Sequence, residues 1–146
     1  MVIPDEPQRA YIEFGSGSLS GYFIEDVCSL GDDSAVMQDY QFGLVTKQTV
    51  FSGRFDAIIG LAYPSMAEPG LTPFFDAMMK QGLVEENMFA FYMSMNPLVD
   101  DSELVFGGYD NDRIEGKLSW HPVIDKLFWS LNLEDVRIGN RSLGIC

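Results

Sequence analysis

The chain has 146 residues, of which 47% are hydrophobic and 13% aromatic, and this composition indicates a folded globular protein rather than a disordered one. Its 22 acidic residues against nine basic ones give a formal net charge of −13, which repels nucleic acid and anionic membranes, so nucleic-acid binding is excluded as an expected function. No apolar run approaches the about 18 residues of a membrane-spanning helix, and the N-terminal residues lack the pattern of a signal peptide, so we expect no membrane span.

The first third of the chain predicts a long β-hairpin and a neighbouring strand. Residues 11–14 and 19–28 are strand-like, and residues 35–45 alternate roughly between apolar and polar side chains. Between Ile12 and Gly21 the sequence holds three glycines and three serines, whereas a tight reversal needs only one or two glycines. The surplus indicates a mobile turn tip.

The middle of the chain predicts an apolar strand followed by the one clear helix. Residues 55–64 are too short for a helix and too apolar for a surface loop, so we expect a strand through a core, with Asp56 buried or half-buried. Thr72 suits the N-cap of a helix that has Pro73 at its first position. Gly82 suits the position just beyond the end of that helix.

The rest of the chain returns to strand patterns, with a turn at Gly139 and Asn140. The predicted fold class is therefore all-β, mainly antiparallel strands with one or two short helices. The predicted strands are 88–94, 103–106, 117–121, 128–138 and 142–145.

The sequence offers little for histidine, metal or nucleotide chemistry. His121 is the single histidine, so a catalytic triad lacks a second candidate, and a structural role is the simpler interpretation. Cys28 and Cys146, together with one histidine, do not have the spacing of a zinc site. The glycine-rich stretch leads into a strand rather than a helix, so it does not predict a phosphate-binding loop. We expect no metal and no cofactor.

Three further residues give weaker signals. Cys28 is expected to be a buried thiol, and Cys146 could pair with Cys28 or with a cysteine beyond the last residue. Asn140 begins the triplet Asn-Arg-Ser, which fits the N-glycosylation acceptor pattern and marks a possible modification site. Most carboxylates are interpreted as solvated surface charge.

Six motifs occur in one order and spacing: YIEFGSGSLSG, FDAIIGLAYPS, LTPFFDAMMKQGLV, FAFYMS, ELVFGGYD and GKLSWHPV. The combination of F-D-x-I-x-G-L-A-Y-P with V-F-G-G-x-D, joined by a T-P-x-F-D helix, is specific. Together the motifs resemble the central part of the pepsin-like aspartic proteases, and the resemblance runs through nearly the whole chain. It implies part of the bilobal acid-protease fold and peptide or protein substrates.

In that family the glycine-rich hairpin is the flap that closes over the substrate. The resemblance implies that Phe14, Gly15 and Ser16 contact substrate at the flap tip. Phe14 stands where the family usually has a tyrosine, so the flap keeps an aromatic ring but loses one hydrogen-bond donor.

The resemblance also implies two apolar walls for the substrate. Phe55 and Ile58 match residues that line the pocket for the side chain just before the scissile bond. Phe128 matches an aromatic wall on the leaving side. All three are equally consistent with a plain core position.

Catalysis in the family needs two aspartates that share one proton, each normally in an Asp-Thr-Gly or Asp-Ser-Gly loop. Neither tripeptide occurs in this chain, so we expect no catalytic residue here and no activity of the chain alone. The resemblance implies that 1–112 is the second half of the amino-terminal lobe, including the flap, and that 113–146 is the start of the carboxy-terminal lobe. Cys146 matches a family cysteine that closes a small loop with one a few residues on.

Three functional hypotheses follow. The favoured one is part of an aspartic endopeptidase of the secretory pathway, a vacuolar or lysosome-like compartment or the extracellular space, which cuts between apolar residues. The second is a catalytically inactive pepsin-like binding protein, and the third is an acidic β domain that binds a protein partner through apolar surfaces. Exposed strand edges predict that the chain self-associates.

Overall fold

The computed structural model describes residues 3, 6–14, 17–31, 35–49, 55–96, 98 and 100–145. Three strands form its largest sheet: β1 (Arg9–Phe14), β2 (Gly17–Leu30) and β3 (Ala35–Thr49). They are antiparallel in the order β1-β2-β3, which confirms the predicted hairpin and its neighbour. At about 3.3 Å per residue, β2 and β3 form a ribbon about 45 Å long.

Two irregularities interrupt the pairing of β2 with β3. One lies between Ser20 and Gly21, and the other lies between Asp26 and Cys28. Such bulges add local twist and bend a long ribbon. At the second bulge Asp39 has a positive φ of 50°, the only such value outside glycine among the described residues.

Helix α1 (Phe74–Lys80) follows the predicted position but begins differently. Its N-cap residue is Pro73, and the Thr72 hydroxyl accepts a hydrogen bond from Lys80 Nζ (3.0 Å) instead of capping the helix. The expected end is confirmed: Gly82 has φ +67°, and its N–H donates to the Met79 carbonyl (3.1 Å). The next N–H, of Leu83, donates to the Met78 carbonyl (3.0 Å), which completes a Schellman motif.

The described core is small and lies where α1 packs on the sheet. Met37 of β3 is buried with three residues of one α1 face, Phe74, Ala77 and Met78. Their spacing of three and four residues places these side chains on one stripe of the helix. This core is near the far end of the ribbon from the β1–β2 turn.

The remaining strands form three two-stranded sheets. β4 (Phe89–Tyr92) pairs with β5 (Glu103–Phe106), β6 (Asp125–Lys126) with β7 (Trp129–Ser130), and β8 (Arg137–Ile138) with β9 (Arg141–Ser142). Short 3₁₀ turns cover Pro64–Met66 and Asn111–Arg113. The all-β, mainly antiparallel class is confirmed. The helices of the described ranges are too short to cross a bilayer.

Four predicted strands are wrong in detail. Residues 55–64 form no strand, and Asp56 is exposed rather than buried. Residues 117–121 form no strand, and 128–138 divides between β7 and β8. The strand expected at 142–145 is limited to Arg141–Ser142. An apolar run indicates a segment with apolar side chains to bury. A strand also needs a neighbouring strand that supplies backbone hydrogen bonds, and the run does not predict that neighbour.

Candidate substrate-binding site

The β1–β2 hairpin ends at the residues predicted to contact substrate. Phe14 pairs with Gly17 in the last position of the ladder. Gly15 and Ser16, the predicted tip, lie outside the described residues, as does the Phe14 side chain, so the expected mobility of the tip stays a prediction. The described part of the hairpin therefore ends with the pair Phe14 and Gly17.

Contacts with β3 hold the hairpin close to its tip. The Ser18 N–H donates to the Thr49 hydroxyl (3.1 Å), and the two hydroxyl groups are 3.0 Å apart. At the other end of β1, the Phe23 N–H donates to the Gln8 carbonyl (2.9 Å). The stem is thus bonded at both ends, and its position depends on β3 as well as on its own ladder.

A second group of contacts joins the segment 61–66 to the β6–β7 hairpin. The Trp129 indole N–H donates to the Leu61 carbonyl (2.9 Å), and the Trp129 ring lies 4.5 Å from the ring of Tyr63. The Ser65 hydroxyl also donates to the Lys126 carbonyl. These contacts bring together two segments that are more than sixty residues apart in sequence.

The residues predicted to line the substrate pocket lie next to these segments in sequence or within them. Phe55 (50% exposed) and Ile58 (51% exposed) precede the segment 61–66, and Phe128 is 55% exposed in the turn between β6 and β7. None of the three is therefore core within the described structure. Trp129, which links the segments, was not singled out from the sequence; the signal was an indole N–H in an apolar segment, which usually finds a partner.

A cavity of about 510 Å³ lies beside this junction. Five aromatic residues are among those that line it, and Asp76 and Lys80 of α1 also border it. Such a lining favours apolar groups. The aromatic residues are Tyr63, Phe75, Phe89, Trp120 and Trp129.

A polar cluster lies apart from the junction. Asp100 Oδ2 accepts hydrogen bonds from the Tyr92 hydroxyl (2.7 Å) and from Arg113 Nη1 (2.7 Å), while the Arg113 guanidinium lies 4.4 Å from the centre of the Tyr92 ring. The Tyr92 hydrogen bond and the Arg113 pair lower the pKa of Asp100, and the bond to Asp100 raises the pKa of Tyr92. The cluster ties the segment around Asp100 to the residues after β5.

The other candidates for chemistry are placed as follows. Cys28 is half-buried beside the core rather than fully buried, and desolvation raises the pKa of its thiol. His121 is exposed. Within the described ranges, no three His, Cys, Asp or Glu side chains are placed to hold a metal ion.

Asn140 is exposed in the turn of the β8–β9 hairpin. Asp135 closes this hairpin: its carboxylate accepts from the Ser142 hydroxyl (2.7 Å) and from Arg137 Nε (2.5 Å). These bonds, the one from Ser142 first, lower the pKa of Asp135.

The family described as "Eukaryotic aspartyl protease" has a sequence profile that matches residues 4–146. The chain belongs to this aspartyl protease family. The resemblance read from the motifs is thereby confirmed.

Similar curated proteins support the aspartyl protease assignment. Cathepsin E of Cavia porcellus is 42% identical over 132 residues, which are 88% of this chain and 33% of that protein. Cathepsin E of Oryctolagus cuniculus is 44% identical over 132 residues, again 88% and 33%. Cathepsin D of Clupea harengus is 38% identical over 139 residues, 92% of this chain and 34% of that protein. The chain spans about a third of the length of these relatives.

Proposed function

We propose that the chain is the flap-bearing part of an aspartic endopeptidase. The observation that carries the proposal is the antiparallel β1–β2 hairpin, whose last described pair is Phe14 with Gly17, in a chain of this family. An extended peptide bound below such a hairpin can exchange backbone hydrogen bonds with it, as strands do with a sheet edge. Phe14 would pack its ring on an apolar substrate side chain.

The proposed substrate is a peptide or protein with apolar residues on both sides of the cut. Phe55 and Ile58 would form the wall for the residue before the scissile bond, and Phe128 the wall for the residue after it. Their half-exposed side chains support this assignment. The bonds of Trp129 and Ser65 would keep the two walls at a constant distance.

Cleavage would use a water molecule activated by two aspartates that share one proton. One carboxylate takes a proton from the water while the other protonates the peptide carbonyl. The 146 residues contain neither Asp-Thr-Gly nor Asp-Ser-Gly, so this dyad would come from sequence outside them, and the chain alone would be inactive. In this proposal, 1–112 belongs to the amino-terminal lobe and 113–146 to the carboxy-terminal lobe.

A dyad that shares a proton operates in acid, because one carboxyl must stay protonated. We therefore propose an acidic working environment: the secretory pathway, a vacuolar or lysosome-like compartment, or the extracellular space. The net charge of −13 suits such an environment, where part of the surface carboxylates would be neutralised.

A second candidate function is a pepsin-like binding protein without catalysis. The observation that favours it is Phe14, which lacks the hydroxyl of the usual flap tyrosine. The two candidates share the hairpin and the apolar walls of Phe55, Ile58 and Phe128, and they differ in the dyad.

The deciding experiment uses the full-length protein. Its flanking sequence is read for two Asp-[Ser/Thr]-Gly triplets, and the protein is assayed with a fluorogenic peptide that has apolar residues at the cut. We expect cleavage in acid that a statine-type inhibitor blocks, and no cleavage by residues 1–146 alone. A replaced triplet, together with peptide binding without cleavage, would establish the binding protein instead.

The assignment of Phe128 to the wall after the scissile bond is tested with two alanine variants. Phe128→Ala should raise KM for a substrate that has a large apolar residue after the cut. Ile124→Ala changes another exposed apolar residue beside the same hairpin, 62% exposed, and should leave KM unchanged. Equal effects of the two variants would remove the assignment of Phe128.

A further inference from the structure

We propose that Asn140 carries an N-linked glycan, and that the glycan is attached before the β8–β9 hairpin closes. The proposal rests on the proposed secretory location. Asn140-Arg141-Ser142 is the single Asn-X-Ser/Thr triplet of the sequence.

The position of Asn140 suits a bulky polar group. Gly139 and Asn140 form the turn between β8 and β9, and Gly139 has φ +56°, in the region that glycine adopts without strain. Asn140 and Arg141 are both exposed. A glycan on the Asn140 side chain would therefore extend into solvent and leave the strand pairing intact.

The contacts of Ser142 indicate that glycosylation comes before the hairpin closes. Its hydroxyl defines the triplet, since an alanine at that position would not be an acceptor pattern. In the folded hairpin this hydroxyl donates to Asp135 Oδ1 (2.7 Å) and accepts from the Gly144 N–H (3.1 Å). Asp135 is held in turn by Arg137 Nε (2.5 Å), and the Leu143 N–H donates to the Val136 carbonyl (2.8 Å). The folded hairpin thus occupies the group that the transferase must recognise.

The reaction is a glycosyl transfer from an oligosaccharide carried on a polyprenyl pyrophosphate. A bond forms between Asn140 Nδ2 and the anomeric carbon of the sugar. The bond between that carbon and the pyrophosphate oxygen breaks, and the pyrophosphate leaves with the electron pair. One amide proton passes to a base of the transferase.

The glycan is tested by mass spectrometry of the full-length protein, expressed with a signal peptide in a eukaryotic secretory host. Cleavage after Glu134 isolates the triplet, and peptide N-glycosidase in ¹⁸O-water converts a glycosylated asparagine to labelled aspartate. We expect label at Asn140, complete loss in Asn140→Gln, and no change in Asn132→Gln, an exposed asparagine outside any triplet. A secreted wild-type protein without label at Asn140 would overturn the proposal.

The order of events is tested in vitro with purified transferase and its lipid-linked donor. The acceptors are a synthetic peptide of residues 132–145 and the folded, unglycosylated full-length protein from bacteria. The peptide should be modified at least about tenfold faster, and Asp135→Ala should make the folded protein a better acceptor than Asp125→Ala does. Equal rates for peptide and folded wild-type protein would show that hairpin closure does not matter.

Both readouts are masses and need no proteolytic activity. The expression host provides the secretory compartment. The two results therefore do not depend on where the natural protein is located. Failure of the proposed protease function and failure of this proposal therefore give different results.

Discussion

At the scale of single residues, the junction of the candidate site depends on one indole. Trp129→Phe removes the donor to the Leu61 carbonyl and keeps an aromatic ring beside Tyr63. Trp129 is half-exposed, so water can partly replace the lost bond, and we expect a loss of about 1 kcal/mol in the free energy of unfolding. Urea denaturation of the full-length protein measures it.

The control for Trp129 is Trp120→Phe. Trp120 is 75% exposed and also borders the 510 Å³ cavity. Its substitution should change the unfolding free energy much less. A loss equal to that of Trp129→Phe would mean that the junction is not held by the indole hydrogen bond.

The lowered pKa of Asp100 predicts how the stability of the folded protein depends on pH. Its pKa is lowered in the folded state by Tyr92 and Arg113, so the folded protein favours the charged carboxylate. The stabilisation is therefore present above the ordinary carboxyl pKa and is lost as the pH falls through the lowered value. The cluster should persist in moderately acidic solution.

The measurement for Asp100 compares melting temperatures of wild type and Asp100→Asn from neutral to strongly acidic pH. The difference should be largest at neutral pH and should shrink towards zero in strong acid. Asp125→Asn, an exposed carboxylate in β6, should show no such trend. A difference that grows on acidification would contradict the assigned direction.

Single residues also set the limit of prediction from sequence. The assignment of Phe14, Phe55, Ile58 and Phe128 to the substrate site rests on motif resemblance and stays a prediction. The hydrogen bond between Trp129 and Leu61 could not be predicted in that way. Nothing in local sequence reports a contact across 68 positions. The half-burial of Cys28 also depends on distant neighbours, since α1 packs beside it.

At the scale of elements, Gly21 is the residue on which the hairpin stem most depends. It is buried in the central strand β2, at the bulge opposite β3, and a Cβ there would overlap the Leu44 carbonyl oxygen. Backbone atoms cannot move aside as a flexible side chain can. Gly21→Ala should cost about 2 kcal/mol or more in unfolding free energy.

The matched control is Gly43→Ala in β3. A Cβ at Gly43 would lie 3.7 Å from Ala10 Cβ, an ordinary van der Waals contact. Its effect should be within about 0.5 kcal/mol of zero. Chemical denaturation of both variants tests the pair, and similar losses would show that the bulge tolerates a side chain.

Elements marked by local signals were predicted well, whereas the strand expected at 55–64 was not found. β1, β2, β3 and α1 came from periodicity, turn residues and Gly82, which act within a few positions. The segment 55–64 has the composition of a core strand, yet it forms no strand. Composition shows that a segment has apolar area to bury. It does not identify the element that packs against that area.

At the scale of the whole molecule, the chain exposes more surface than a compact monomer of its mass. Its accessible surface is 11748 Å², whereas about 7,500 Å² is expected for a compact protein of 16.3 kDa. Large apolar side chains are among the exposed residues, including Trp120 and Trp129. Apolar surface on this scale favours association.

We therefore expect residues 1–146 to self-associate when produced alone. Light scattering at increasing concentration should give a mass above that of the monomer, and the full-length protein should remain monomeric under the same conditions. A monomer at every concentration for the short chain would contradict the expectation.

One contact of α1 limits where that association can occur. The Gln81 side chain accepts from the Gln38 N–H (2.9 Å) and donates to the Gln38 carbonyl (2.8 Å), at the second bulge of β3. The amide thus takes the place that one residue of an incoming strand would take on this edge of the sheet. A second molecule could extend the sheet along residues 41–49, but not continuously past Gln38, so any intermolecular ladder on β3 would be short.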